Sequence, residues 1–249
     1  SVDIVKAAVA SASLVVAQVN PRMPRVAGDG FLHVDEVDYL VECDEPLLEY
    51  QPNVPDEVAA RIGRYVARIV QDGDTIQVGY GSVPNAIMAA LGRKKHLGVH
   101  SELLTDGIVE LIRRGVIDNS RKSINRGKSV ASFAMGSAAM YEFLDGNPAI
   151  ELRTIDYTNN PLVIAQHAGM TAINSALDVD LTGQASAESI GRTFYSGIGG
   201  QADFMRVAVL APSSPTDATV VAWIVAAPDA ETYGRALYSH LRTLDQAGA

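Results

Sequence analysis

Residues 75–94 read TIQVGYGSVPNAIMAALGRK. The run Thr75–Val78 has strand character, Gly79-Tyr80-Gly81 breaks it, and a helix-forming apolar run follows from Ala86. This is a strand–turn–helix unit with glycines at the junction. Glycines there let backbone N–H groups approach an anion or a carbonyl oxygen, and the helix N-terminus adds partial positive charge. The same spacing serves equally well as a tight turn packed under a helix. The third glycine of a dinucleotide fingerprint is missing and Pro84 stands in that region, so no nicotinamide site follows.

Upstream, PDEVAARIGRYVARIVQDG (55–73) predicts a helix. Pro55 stands near its start, Asp56 and Glu57 in its first turn, Val58, Ile62, Val66 and Ile69 at helical spacing, and Asp72-Gly73 stops it. Further back, LVVAQV (14–19) and VDYLVEC (37–43) read as strands around the loop NPRMPRVAGDG. Val5, Ala8 and Val9 form a helical stripe that begins without a leading cap, as a piece of a longer chain would. Downstream, GIVELIRRGVI (107–117) predicts a helix, RKSINRGKSVASFAMGS (121–137) strand, and YEFLDGNPAIELRTIDYTNNP (141–161) helix, turn and strand. Such alternation argues an α/β sheet. From Gly169 the pattern changes to strand and turn.

With 249 residues, 47% of them hydrophobic, the chain can build a sizeable core. The formal charge of -9 leaves Arg113, Arg114, Arg121, Lys122, Arg126 and Lys128 as scattered basic residues, which disfavours nucleic acid and anionic membranes as partners. One cysteine, Cys43, excludes an intrachain disulfide and a Cys-rich zinc site, consistent with a cytoplasmic location. No apolar stretch is long enough to span a membrane and no targeting signal opens the chain. His33, His96, His100, His167 and His240 show no metal-ligand spacing and read as packed or solvated histidines.

The stretch GVHSELLTDG (98–107) places a carboxylate, Glu102, just after an apolar strand-like run. Taken alone, Glu102 reads as a surface glutamate of an acidic protein.

AQVNPRMPR, GDGFLHVDEVDYLVE, IQVGYGSVPNAI, GVHSELLTDG, VASFAMGS, IDYTNNPLVIAQHAGMTAINSALDVDLTGQASAESIG and YSGIGGQADF together change that reading. In order and with few gaps from Val2 to Phe204, they resemble the acetyl-CoA hydrolase/transferase family, most closely its 4-hydroxybutyrate and butyrate:acetate CoA-transferase branch. The resemblance implies a CoA-transferase-type α/β fold with a mixed, largely parallel sheet and flanking helices. It further implies that residues 1–204 are the second, glutamate-bearing domain, shortened at both ends. The first domain would precede Ser1. Residues 205–249 depart from the family pattern, with a strand pair and the amphipathic terminal helix AETYGRALYSHLRTLDQAG.

In this family the glutamate of the H-[ST]-E stretch is the nucleophile, which carries over to Glu102, flanked by His100 and Ser101. Its carboxylate would attack an acyl-CoA thioester, pass through an acyl-glutamyl anhydride and a glutamyl-CoA thioester, and deliver CoA to a second carboxylic acid. The chemistry needs no tightly bound cofactor or metal; coenzyme A enters as substrate. Gln77, Val78, Gly79, Tyr80 and Gly81 match the family's CoA-contacting loop, and Leu177, Gly199 and Gly200 match further contacts. Asn20, Asn159 and Gln184 are candidates for shaping the pocket or for ordinary turns and caps. The expected partners are an acyl-CoA and a short-chain carboxylate. A homo-oligomer, or a partner chain supplying the first domain, is a further expectation. The alternatives are an acyl-CoA hydrolase using the same anhydride and a partner-dependent or inactive remnant.

Overall fold

The structure is a computed structural model that describes residues 1–50, 54–180, 184–197 and 199–207. The strand pair and helix expected in the tail lie outside the described residues from 208 onward. Two compact units share the chain, one made of residues 1–160 with 167–173 and the other of 161–166 with residues from 174 on.

The first unit begins with α1 (Val5–Ser11), β1 (Val16–Val19), β2 (Ala27–Gly28), a 3-10 turn at Val34–Glu36 and β3 (Tyr39–Glu42). Next come α2 (Glu57–Ile69), β4 (Thr75–Val78), α3 (Ser82–Ala90), β5 (Gly98–Val99), β6 (Leu103–Leu104) and α4 (Asp106–Arg113). It continues through β7 (Ser129–Ala131), β8 (Phe133–Ala134), α5 (Ala138–Leu144), β9 (Ile150–Leu152), α6 (Ile155–Thr158) and, after an excursion into the other unit, β10 (Met170–Ile173).

Every strand pair of this unit is parallel. One sheet runs β10-β4-β5 and another β2-β9-β7. A parallel bridge between His100 and Val130 joins β5 to β7, so the two form one layer in the order β10-β4-β5-β7-β9-β2. All four residues of β4 are buried, as in a parallel strand covered on both faces, including the polar Thr75 and Gln77 that alternate with Ile76 and Val78. The core is built from Ile76, Val78 and Val99 of these strands against Ile87 and Leu91 of the α3 region and Ile108 and Leu111 of α4.

Asp56 caps α2 by accepting the Ala59 N–H at 2.7 Å, a contact worth about 0.5–2 kcal/mol. Gly63 lets α2 and α3 approach closely, since a Cβ there would stand 2.6 Å from the Ala86 carbonyl oxygen. Helix α3 starts four residues before the expected Ala86 and includes Pro84 at its third position. Proline is tolerated there because the first four N–H groups of a helix have no intrahelical partner. Helix α4 stops at Arg113 rather than running to Ile117, because Gly115 turns the chain with φ 71°. The segment Arg121–Lys128 forms turns and not the expected strand, because Asn125 and Gly127 take positive φ, and the chain enters β7 only at Ser129.

The second unit contains α7 (Pro161–Ile164), the antiparallel pairs β11/β12 (Asp178–Val179 with Ala185–Ser186) and β13/β14 (Ser189–Ile190 with Thr193–Phe194), and α8 (Gln201–Val207). Two-residue strands, with a turn at Gly191-Arg192 between β13 and β14, account for the strand-and-turn character read after Gly169.

Candidate active site

Parallel α/β sheets present their ligand sites beyond the C-terminal ends of the strands. At that edge β4 delivers Gly79, Tyr80 and Gly81, and β5 delivers His100, Ser101 and Glu102. The pairing of Ile76 with Val99 carries Val78 to the level of Ser101, and the Ser101 hydroxyl reaches the Val78 carbonyl at 3.3 Å. Gly81 has φ 125° and forms the N-cap of α3, a conformation that favours glycine. A Cβ at Gly79 would meet nothing within 4 Å, so the turn beside Glu102 is open above its backbone. Tyr80 projects from it, exposed, with its ring edge against Tyr50 at 5.7 Å.

Glu102 is held at both ends. Its carbonyl oxygen accepts the N–H groups of Ser132 at 2.9 Å and Phe133 at 3.1 Å, which pins the main chain between β7 and β8. Its carboxylate oxygen Oε2 accepts from Asn159 Nδ2 at 3.2 Å. Asn159, which closes the C-terminal end of α6, is buried, whereas Glu102 is only half-buried. The arrangement steers one carboxylate oxygen and leaves the group within reach of the open edge.

Beneath Glu102 lies a buried layer of basic side chains. The His100 ring donates through Nε2 to the Thr158 carbonyl at 2.8 Å, which assigns its proton to that nitrogen, and stands 4.6 Å from the His167 ring. Burial lowers the His100 pKa to about 4, and burial together with the proximity of His100 and Lys122 lowers His167 to about 3. Both rings are therefore neutral at pH 7. Lys122 is 1% exposed, and its Nζ donates to the carbonyls of Val99 at 2.6 Å and Lys128 at 2.7 Å. Desolvation lowers its pKa to about 7, with the Glu151 carboxylate acting the other way. The Lys122 stem lies across Gly98, where a Cβ would come within 2.4 Å of its Cγ.

The structure thus brings Gln77–Gly81 and Glu102 to one sheet edge, with Gln77 and Val78 buried inside β4 and Gly79–Gly81 in the turn. Leu177, Gly199 and Gly200 belong to the other unit. There Leu177 is 42% exposed and donates its N–H to Ser186, and Gly200 accepts the Phe204 N–H in front of α8. Of the polar candidates, Asn159 reaches Glu102. Asn20 closes a local turn by accepting the Arg22 N–H, and Gln184 bonds to Asp180. Sequence reasoning passed over Ser132, Thr158, Lys122 and His167, all buried around the Glu102 segment. Nothing local marks them: each is a common polar residue whose role depends on a partner distant in the chain. Among the described residues no three His, Cys, Asp or Glu side chains converge to hold a metal ion.

Fold and edge together define a CoA-transferase-type α/β protein. The chain superimposes on RipA from Yersinia pestis with a TM-score of 0.77 at 42% identity, covering 83% of this chain and 47% of that one. It matches a 4-hydroxybutyrate CoA-transferase from Porphyromonas gingivalis with a TM-score of 0.75 at 40% identity, over 84% and 50% of the two chains. The acetyl-CoA hydrolase/transferase N-terminal domain matches residues 1–49 and the C-terminal domain of the same family residues 136–225. The 4-hydroxybutyrate coenzyme A transferase of Clostridium kluyveri is 44% identical over 99% of this chain and 56% of its own length. The succinyl-CoA:cyclohexane-1-carboxylate CoA transferase of Geobacter metallireducens is 48% identical over 80% of this chain and 46% of its own length. The chain belongs to the acetyl-CoA hydrolase/transferase family. It spans about half the length of the curated relatives it matches.

Proposed function

We propose that the protein transfers CoA between a short-chain acyl-CoA and a carboxylic acid through a covalent glutamyl-CoA thioester on Glu102. The observation that carries this reading is the placement of Glu102: a carboxylate held by Asn159 at the C-terminal edge of a parallel sheet, beside an open glycine turn. Because Asn159 engages Oε2, the other oxygen, Oε1, is the natural attacking atom. Its attack on the thioester carbonyl breaks the C–S bond, releases CoA thiolate and forms an acyl-glutamyl anhydride. Attack of the thiolate on Cδ of Glu102 then builds negative charge on Oε2, where Asn159 Nδ2 already donates. Expulsion of the first carboxylate, which departs with Oε1, leaves the glutamyl-CoA thioester, and an incoming carboxylate reverses the sequence.

Removing a donor aimed at the developing oxyanion of such a site costs about 10²–10³ in rate. Gly79 and Gly81 suit the reaction for a different reason: their bare backbone admits a bulky thioester beside Glu102. Tyr39, Leu40 and Val41 of β3 are successive and all exposed, so both faces of the β1/β3 pair are uncovered. Parallel strands are ordinarily covered on both faces. We assign that cover to a polypeptide carrying the half of the relatives' length that this chain does not span.

Incubation with acetyl-CoA, borohydride reduction and peptide mass spectrometry tests the mechanism. The expected product is Glu102 reduced to the alcohol, in a CoA-dependent manner. Modification elsewhere, or none, overturns the reading. Release of free CoA without any added carboxylate would instead mark a hydrolase.

A further inference from the structure

Asn159 carries a donor at one end of its amide and an acceptor at the other, and only the Nδ2 end suits a carboxylate. Rotated by half a turn, it would set Oδ1 against Glu102 Oε2, two acceptors facing each other. Something has to choose between the two orientations. Thr158 Oγ1 donates to Asn159 Oδ1 at 3.2 Å, and so ties down the far end of the amide. A hydroxyl has a single proton, and Thr158 Oγ1 has two other neighbours: the Thr154 carbonyl at 3.4 Å and the Ser132 hydroxyl in close contact. When Ser132 donates to Thr158 Oγ1, the Thr158 proton is left to point away from Ser132, and Asn159 Oδ1 is the nearer of the two remaining acceptors. Ser132 and Thr158 are both fully buried, so bulk water does not compete for their hydroxyls.

We propose that Ser132 and Thr158 are positioning residues that form a one-way donor relay to the nucleophile. It runs from Ser132 Oγ–H to Thr158 Oγ1, from Thr158 Oγ1–H to Asn159 Oδ1, and from Asn159 Nδ2–H to Glu102 Oε2. Ser132 acts on Glu102 twice, because its own backbone N–H holds the Glu102 carbonyl at 2.9 Å. Neither hydroxyl touches the reacting atoms. Their task is to keep the amide facing the way that stabilises charge on Oε2, which rests on the proposal that Glu102 is the nucleophile.

The test follows formation of the borohydride-trapped Glu102 product over a range of acetyl-CoA concentrations. In the unsubstituted protein, absence of the product overturns the nucleophile reading and the relay with it. Where the product forms, Thr158→Val, which keeps the shape and removes the hydroxyl, should slow its formation at saturating acetyl-CoA by about 10-fold to 10²-fold. That is less than the loss expected for a direct oxyanion donor. Half-saturation should move by no more than about 2-fold, since the lost contact acts on the reacting carboxylate and not on CoA. Thr158→Ser should restore most of the rate, and Ser132→Ala should fall between the two. In an Asn159→Ala background Thr158→Val should cost nothing further, because it acts through that amide. A Thr158→Val protein as fast as the unsubstituted one overturns the relay alone. So does a Thr158→Ser protein as slow as the valine variant, or full additivity with Asn159→Ala. If valine at 158 prevents folding, Ser132→Ala and Thr158→Ser decide by the same measurement.

Discussion

Glu102 and its immediate neighbours divide the work by chemistry. In the proposed mechanism the carboxylate supplies the attacking oxygen and Asn159 a donor, while the N–H groups of Ser132 and Phe133 hold the Glu102 carbonyl. Glu102→Gln keeps size and hydrogen bonding but removes the anion, so CoA transfer should fall by several orders of magnitude while CoA binding changes little. Steady-state transfer and calorimetric CoA titration separate the two. Glu102→Asp keeps the charge but withdraws it by one methylene, and a displacement on the order of 1 Å costs roughly 10² in rate. Glu110→Gln, on the exposed face of α4, should alter neither quantity. Equal losses at Glu102 and Glu110 would mean that charge in general, and not this carboxylate, is what the reaction needs.

At the scale of elements, the site depends on how closely α2 and α3 pack behind the glycine turn. Gly63 sits where that packing is tightest, and two effects of opposite sign meet there. Alanine is intrinsically better in a helix than glycine by about 1 kcal/mol. Against this, the added Cβ would stand 2.6 Å from the Ala86 carbonyl oxygen and 2.8 Å from its carbon, both backbone atoms that cannot swing aside. Overpacking of this kind costs about 1–3 kcal/mol. The steric term wins, and Gly63→Ala should lower the urea midpoint. A midpoint at or above that of the unsubstituted protein would show that the two helices slide apart without penalty. The two apolar stripes of α2 have different fates: Ala59 and Gly63 are buried, while Val58, Ile62, Tyr65 and Ile69 remain exposed.

For the molecule as a whole, the buried basic layer makes stability depend on pH in two windows. His100 and His167 have native pKa values of about 4 and about 3, below the ordinary 6.5 of histidine. Between those limits the unfolded chain binds protons that the native rings refuse. Stability from these two groups is therefore complete above about pH 6.5 and is lost as pH falls toward 4 and below. Lys122, with a native value of about 7 against 10.5, adds a rise in stability from pH 7 upward. Urea midpoints measured between pH 7 and 10 should climb in the unsubstituted protein, and Lys122→Met should flatten that climb. An unchanged slope in the Lys122→Met protein would mean that Lys122 is not the group responsible. The uncovered β1/β3 pair makes a separate prediction. Co-expression with the N-terminal half of a full-length relative should yield a stable complex on size exclusion, with protection of amides in Tyr39–Glu42 from hydrogen exchange. Co-elution without that protection would place the contact elsewhere.

The sequence by itself determined the strand–turn–helix unit at 75–94, the helix over 57–69, the family and the motif that holds Glu102. Those rest on local signals: the strand–glycine–helix run at 75–94, the periodicity of 57–69, and a motif in which the glutamate keeps fixed neighbours. It also placed Asn159 among the candidates without separating a pocket role from a capping one; in the structure Asn159 ends α6 and bonds to Glu102. What only the tertiary structure decided is the company that Glu102 keeps. Ser132, Thr158, Lys122 and His167 lie 20 to 65 residues from it in sequence: Ser132 bonds to its carbonyl and Thr158 to Asn159, while Lys122 and His167 pack against Val99 and His100 of the same strand segment, all because β5, β7 and the end of α6 converge at one sheet edge. A hydroxyl or an ammonium carries no local mark of burial. Its role is set by which backbone carbonyls and side chains the fold turns toward it, and that depends on long-range packing which a window of neighbouring residues does not contain.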